Sequence, residues 1–309
     1  MPRQTSSPPS GHQYRITHGD HEAVVTQVGA SLRECALGGL PAIDGYDVTE
    51  RAPDGRGQVL APFPNRLAGG RYTFGGHTCQ VALDEPETAN AIHGMVRWLD
   101  WTEVSSTEHD VVLSCTLRPQ PGYAWELSLQ VGYHLEADGL TVVTAATNTG
   151  AEPAPFGLGF HPYLGLGASI EGLELLVPAG SHCPVPADRD EAPTHVDVTG
   201  TSLDFRAARA VGPVVFDTVF ADLERDGDGR AQVRLADPAS GRAVRLWVDE
   251  AFPYLMVYSA DGVLPAERRR QSIAVEPMTC PPHAFRSGVD VVTLAPGESW
   301  SGAWGLAAG

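Results

Sequence analysis

Short alternations of apolar and polar residues recur along the chain, each closed by a turn signal. In WELSLQVGYHLEADGLTVVTAATN (125–148), Leu127, Leu129, Val131, Tyr133 and Leu135 alternate with polar or small residues. Successive side chains of a strand point to opposite faces, so a period of two gathers these five on one buried face. Asp138-Gly139 supplies a turn, and Leu140 to Ala146 returns as a second strand. The plan repeats in YTFGGHTCQV (72–81) around Gly75-Gly76, in AQVRLADPASGRAVRLWV (231–248) around DPASG, and in VVTLAPGESWSGAWGL (291–306) around Pro296-Gly297. Each reads as an antiparallel hairpin. No window carries a long apolar stripe at i, i+3, i+4, i+7 with caps, so at most a helical turn or two is expected.

So many strands predict an all-β chain, folded as one large antiparallel β-sandwich whose sheets curl around each other. The 34 glycines and 25 prolines favour turns over long helices. Residues 1–12, MPRQTSSPPSGH, are expected to form a disordered tail, and 13–309 a single domain, since no composition break marks a linker.

Charge narrows the partners. With 21 basic and 38 acidic side chains the formal charge is −17, which disfavours nucleic acid and anionic membranes. No apolar run approaches the length of a membrane span, and the N-terminus lacks the apolar core of a signal peptide. A cytoplasmic location is expected. The five cysteines (Cys35, Cys79, Cys115, Cys183, Cys280) are scattered, with no C-x-x-C pair, and read as reduced core thiols. Phosphate-binding and nucleophile-elbow motifs are missing.

Five stretches put polar residues where a plain sandwich core would not want them. LAPFPNRLAGGRYTFGG (60–76) holds Asn65 and Arg66, the latter with a rigid fork of donors. NAIHGMVRWLDW (90–101) holds His93 before Gly94, with Trp98 and Trp101 expected in the core, although an aromatic face beside a ligand is also common. In PFGLGFHPYLGL (155–166), Pro162 biases His161 towards an extended backbone. Asp217 interrupts the apolar run VVFDTVFADL (214–223). In IAVEPMTCPPHAFRSG (273–288) an apolar strand is expected to end on Glu276, and the prolines after it stiffen the loop and fix the carboxylate. Taken singly, each has a structural alternative: Arg66 on a surface loop, His93 and His161 as satisfied structural histidines, Asp217 at an edge-strand turn. ERDGDGR (224–230) lacks complete calcium-loop spacing and reads as a hairpin turn.

In order and spacing, the N-R at 65–66, the H-G at 93–94, His161, Asp217 and the late E-P at 276–277 resemble the aldose 1-epimerase (galactose mutarotase) family over residues 20–306. FHPYLGL and VEPMTCPPHAFRSG look most like an actinobacterial-type subgroup of aldose epimerase-like proteins. The resemblance implies a large antiparallel β-sandwich that interconverts the α and β anomers of a free aldohexose such as glucose or galactose. It implies Glu276 as the base that takes the anomeric proton and His161 as the acid that protonates the ring oxygen. His93 would orient the sugar near that oxygen, and Arg66, Asp217 and Asn65 would bind substrate. It implies no metal or organic cofactor, a small-molecule sugar as partner, and a monomer or homodimer. Near neutral pH an ordinary histidine can carry the proton and an ordinary glutamate is ionised.

The chain departs from the family pattern at Met278, where glutamine is common, at His283 and Arg286, and at Thr218 after Asp217. These departures are expected to shift the preferred sugar or weaken activity. Three other readings stay open. One is a hexose 6-phosphate epimerase using Arg66, Arg71, Arg97 and Arg286. Another is a non-catalytic sugar-binding protein. The third is a glycoside hydrolase with Asp217 and Glu276 as its carboxylates, which leaves both histidines unexplained.

Overall fold

The alternating segments build two large sheets. In the computed structural model, which describes residues 7–309, Leu127–Glu136 and Gly139–Asn148 pair over their full lengths, Leu127 opposite Asn148 and Glu136 opposite Gly139. All five alternating residues of the first strand are buried. These strands belong to a nine-stranded sheet that also holds Asp110–Leu117, Ser299–Ala308, Ala243–Val248 and Ala231–Ala236. An eight-stranded sheet runs Val196–Asp197, Ala179–Cys183, Asp217–Leu223, Tyr254–Tyr258, Ile273–Met278, Gly159–Phe160 and Val59–Leu60, with Tyr163–Leu164 also pairing Ile273–Met278.

The two sheets share one core. Phe160 of the second meets Trp304 of the first, ring centroids 5.2 Å apart. Phe156, Phe216, Phe220 and Phe252 are fully buried in the same cluster. The Gln13–His18, His21–Thr26 and Leu32–Leu37 strands start a smaller antiparallel sheet, and three two-stranded ribbons complete the fold. Among the described residues the only α-helix is the four-residue Ala284–Ser287. The all-β antiparallel sandwich expected from the alternation is the observed architecture.

The Pro296-Gly297 turn does not close a hairpin. Val292–Leu294 pairs with Ala154–Phe156, while Ser299–Ala308 joins the nine-stranded sheet. Asn148 is responsible: its side chain donates to Leu294 O (2.7 Å) and its carbonyl accepts from Gly297 N (2.8 Å), so the turn is held across two sheets. Of the expected tail, residues 1–6 lie outside the described residues. Residues 8–12 are tied down: Val28 N donates to Ser10 O and Gln27 N to His12 O. All five cysteines are buried and unpaired.

Candidate active site

The strand Ile273–Met278 is buried along its whole length, with partners on both sides. Its sequence suggested an end at Glu276. Instead Glu276 and Pro277 lie inside the strand, opposite Met256 and Leu255. On the other side the partner is interrupted. Gly159 faces Met278 and Tyr163 faces Ala274, and the same register carried through the gap sets His161 opposite Glu276. Proline cannot donate to a ladder, so Pro162 and Pro277 mark where the ladder opens. One bond bridges the gap, from Val275 N to Pro162 O (3.1 Å). Residues opposite each other share a face, and here His161 Nε2 lies 3.4 Å from Glu276 Oε1.

Register also explains the neighbours. Asp217, Tyr258, Ala274 and Tyr163 form one row across the sheet, and Val219, Met256, Glu276 and His161 form the next. The opposing wall comes from the ribbon of Arg66–Ala68 and Asn90–Ile92. Asn65 and His93 flank it, both at positive φ (52° and 63°), and His93 N donates to Asn65 O (2.9 Å). Gly94 follows because a Cβ there would lie 2.1 Å from Ala61 O, an approach only glycine allows.

These elements enclose a cavity of about 520 Å³. All six residues singled out in the sequence (Asn65, Arg66, His93, His161, Asp217 and Glu276) line it. The two histidines meet edge to face, ring centroids 5.2 Å apart. Tyr163 stacks on His161 at 5.0 Å with planes 14° apart, and the Arg56 guanidinium lies 4.2 Å from the centroid of Tyr163. Arg56 is only 1% exposed and pairs with Asp44 (3.0 Å) and Asp54 (3.1 Å).

Burial dominates the electrostatics of the floor. Glu276 is 2% exposed and His161 5%. Burial lifts the Glu276 carboxyl well above its ordinary range; nearby Asp217 adds to this and Arg66 opposes it. Burial lowers His161 to about 3, and the Arg56 and Arg97 charges push the same way. His93 is lowered as well, first by burial and then by His161 and two arginines. Burial therefore favours the neutral form of both imidazoles and of the Glu276 carboxyl. Both shifts run against the charge assignment drawn from ordinary pKa values. Glu85 behaves differently. Its burial is outweighed by hydrogen bonds from Arg66, Thr88 and Asn90, which hold its carboxyl at about 2. Arg66 grips Glu85 with two nitrogens at 2.9 Å each, and its Nη1 lies 3.8 Å from Asp217.

Several residues fall outside the expected roles. Trp98 is not core: it is 46% exposed, lines the cavity, and has Arg51 and Arg97 each 5.4 Å from its centroid. Trp101, at 1% exposure, is core as expected. Met278 does not reach the cavity; it packs with Cys183, Val219 and Met256. Nor do His283 and Arg286 line it. They anchor the Arg66 strand, since His283 N donates to Arg66 O (2.7 Å) and Arg286 to Ala68 O (3.2 Å). Thr218 faces a second hollow of about 250 Å³ that shares Arg66 and Asp217 with the first. Asp54, Asp84, Glu85 and Tyr163 line the main cavity and were missed. Tyr163 alone carried a signal, standing two positions after His161 and thus on the same face.

The fold and this cavity define a galactose mutarotase-like β-sandwich. The description of the aldose 1-epimerase family matches residues 12–306, and the chain belongs to that family. The uncharacterised protein YihR of Escherichia coli is 33% identical over 294 residues, spanning 94% of this chain and 91% of YihR. A mouse galactose mutarotase is 25% identical, spanning 79% of this chain and 76% of its own. Among solved structures, the GalM/aldose epimerase homologue from C. elegans superposes with a TM-score of 0.83 at 17% identity, covering 96% of this chain and 98% of that one.

Proposed function

We propose that the protein is an aldose 1-epimerase that interconverts the α and β anomers of a free aldohexose such as glucose or galactose. The observation that carries this reading is the His161–Glu276 pair, 3.4 Å apart at the floor of a sugar-sized cavity. The two oxygens of a hemiacetal share one carbon, so an acid and a base at this spacing can serve both. Glu276 takes the proton from the anomeric hydroxyl. The C1–O5 bond breaks, its electron pair stays on O5, and O5 takes a proton from His161. The aldehyde carbon turns, and the same two groups run in reverse to close the ring on either face. Positioned acid–base groups contribute ~10²–10⁴-fold.

Opening the ring leaves Glu276 protonated and His161 neutral, the two forms that burial favours. Arg66, Asp217 and Asn65 hold hydroxyls in this reading, and His93 orients the sugar from beside His161.

Charge bears on the sugar's tail. Besides Glu276, the cavity is lined by four acidic side chains (Asp54, Asp84, Glu85, Asp217) against Arg66 and Arg97, each of which is paired. This favours an uncharged sugar. The exposed Arg51 beside Trp98 at the rim favours a second reading, a hexose bearing an anionic group such as a 6-phosphate. Polarimetry on freshly dissolved α-glucose, α-galactose and glucose 6-phosphate tests both. Acceleration of the free sugars, lost in Glu276→Gln and His161→Gln, supports the first. Acceleration of the phosphate alone moves the substrate to the second, and no acceleration of any anomer sinks the enzyme reading.

A further inference from the structure

His93, His161 and Glu276 converge until one ligand atom from each lies within 4.8 Å of the other two. All three side chains are more than nine-tenths buried, and His93 Nδ1, His161 Nδ1 and Glu276 Oε2 have no hydrogen-bond partner. Such atoms lack compensation for the water they have lost. We propose that this triad also binds a single divalent transition-metal ion of the zinc, cobalt or nickel class, and that the ion excludes the sugar.

The donor set selects the ion. Two imidazoles and one carboxylate suit zinc and its neighbours, whereas magnesium and calcium want shells of six or more oxygens that one carboxylate cannot start. The geometry is within reach. The centre of a triangle with such sides is at most about 2.8 Å from each atom, so shifts of less than an ångström reach the ~2.0–2.2 Å of zinc–nitrogen and zinc–oxygen bonds. The fourth position opens into the cavity, where water can complete a tetrahedron. The carboxylates of Asp54, Asp84, Glu85 and Asp217 on the walls make the approach favourable for a cation. Metal binding stands on this geometry alone. Its inhibitory consequence rests on the proposed function, because the ion would occupy the atoms assigned to proton transfer.

Two measurements on the full chain read the metal directly. Equilibrium dialysis against zinc chloride gives stoichiometry, and the visible d–d absorption of added cobalt(II) reports a four-coordinate site. The wild type is expected to take up one ion with a tetrahedral cobalt band, and His93→Gln and Glu276→Gln to lose affinity by tenfold or more together with the band. His134→Gln removes one of the surface histidines near the His18–His109 pair and should change nothing. Far-UV circular dichroism confirms that each variant is folded. A wild type without a cobalt band, or undiminished zinc uptake by folded His93→Gln, overturns the proposal. A wild type that binds one ion yet accelerates no anomerisation keeps the metal site and removes only its link to catalysis. Anomerisation without any metal uptake does the opposite.

Discussion

Tyr163 lies almost parallel to His161, ring centroids 5.0 Å apart, and it also carries Arg56 against its ring, 4.2 Å from the centroid. The Tyr163 hydroxyl donates to Asp54 O (3.1 Å), which fixes the ring's orientation. A column of guanidinium, phenol and imidazole therefore sets how His161 stands in the cavity.

The column predicts distinct effects of two Arg56 variants. Arg56→Met leaves Asp44 and Asp54 without their shared partner, and breaking a buried ion pair costs ~3–5 kcal/mol. Both carboxylates are partly exposed, so a loss nearer about 2 kcal/mol is expected in thermal or urea melts. Arg56→Lys keeps the charge but loses the planar fork and the stacking. It should melt close to the wild type while its kcat for anomerisation falls about tenfold with KM little changed. Equal kcat in Arg56→Lys would show that the column only supports the fold.

Gly55 packs its backbone against His161. A Cβ at Gly55 would lie 2.7 Å from His161 Cδ2, and the residue sits at φ 77°. Gly55→Ala is therefore expected to push the imidazole aside. Displacements of about an ångström in a reacting group cost up to ~10²-fold in rate, so a 10- to 100-fold lower kcat is expected. A variant with unchanged kcat would place the reacting imidazole elsewhere.

The raised Glu276 carboxyl carries a cost in stability. Its folded value lies above the ordinary 4.5, so the native state holds a proton that the unfolded chain has released once the pH exceeds 4.5. Stability is lost as pH rises through that window, by ~1.4 kcal/mol for each unit over which the groups differ. Glu276→Gln has no such cost. It is expected to melt at the same temperature as the wild type near pH 4 and above it at pH 7–8, while losing anomerisation. A wild type that gains on the variant as pH rises would mean that Glu276 is ionised in the folded protein.

Glu85 holds Arg66 by a two-pronged contact, and Arg66 faces the cavity. Glu85→Gln keeps the shape but weakens the grip. The expected result is a several-fold rise in KM with kcat nearly preserved, read by initial-rate polarimetry. A fall in kcat alone would mean that Arg66 acts on the transition state rather than on binding.

Much of the architecture was visible in the chain because alternation reports which face of a strand is buried. Leu127 to Leu135 shows this directly. What alternation cannot report is which strands lie side by side. The Pro296-Gly297 turn misled for that reason, since its two flanking strands join different sheets. At the cavity, residues whose chemistry is awkward in a core stood out. Glu276 in an apolar strand and His161 before a proline are such cases. Trp98 and Asp84 did not, because a tryptophan or an aspartate near a loop is ordinary until its neighbours in space are known. The direction in which Glu276 titrates was out of reach on the same grounds: it depends on how dry the surroundings are, and dryness is not written in any one stretch.

The strand that carries Glu276 is an interior member of its sheet and is buried from end to end. Elements of this kind exchange their amides only when the whole molecule opens. Glu276, the base of the proposed reaction, thus inherits the rigidity of the fold itself. Under the proposed function, the freedom to admit a different sugar falls to the rim, where Trp98 and Arg51 are exposed and can be exchanged without disturbing a buried pairing.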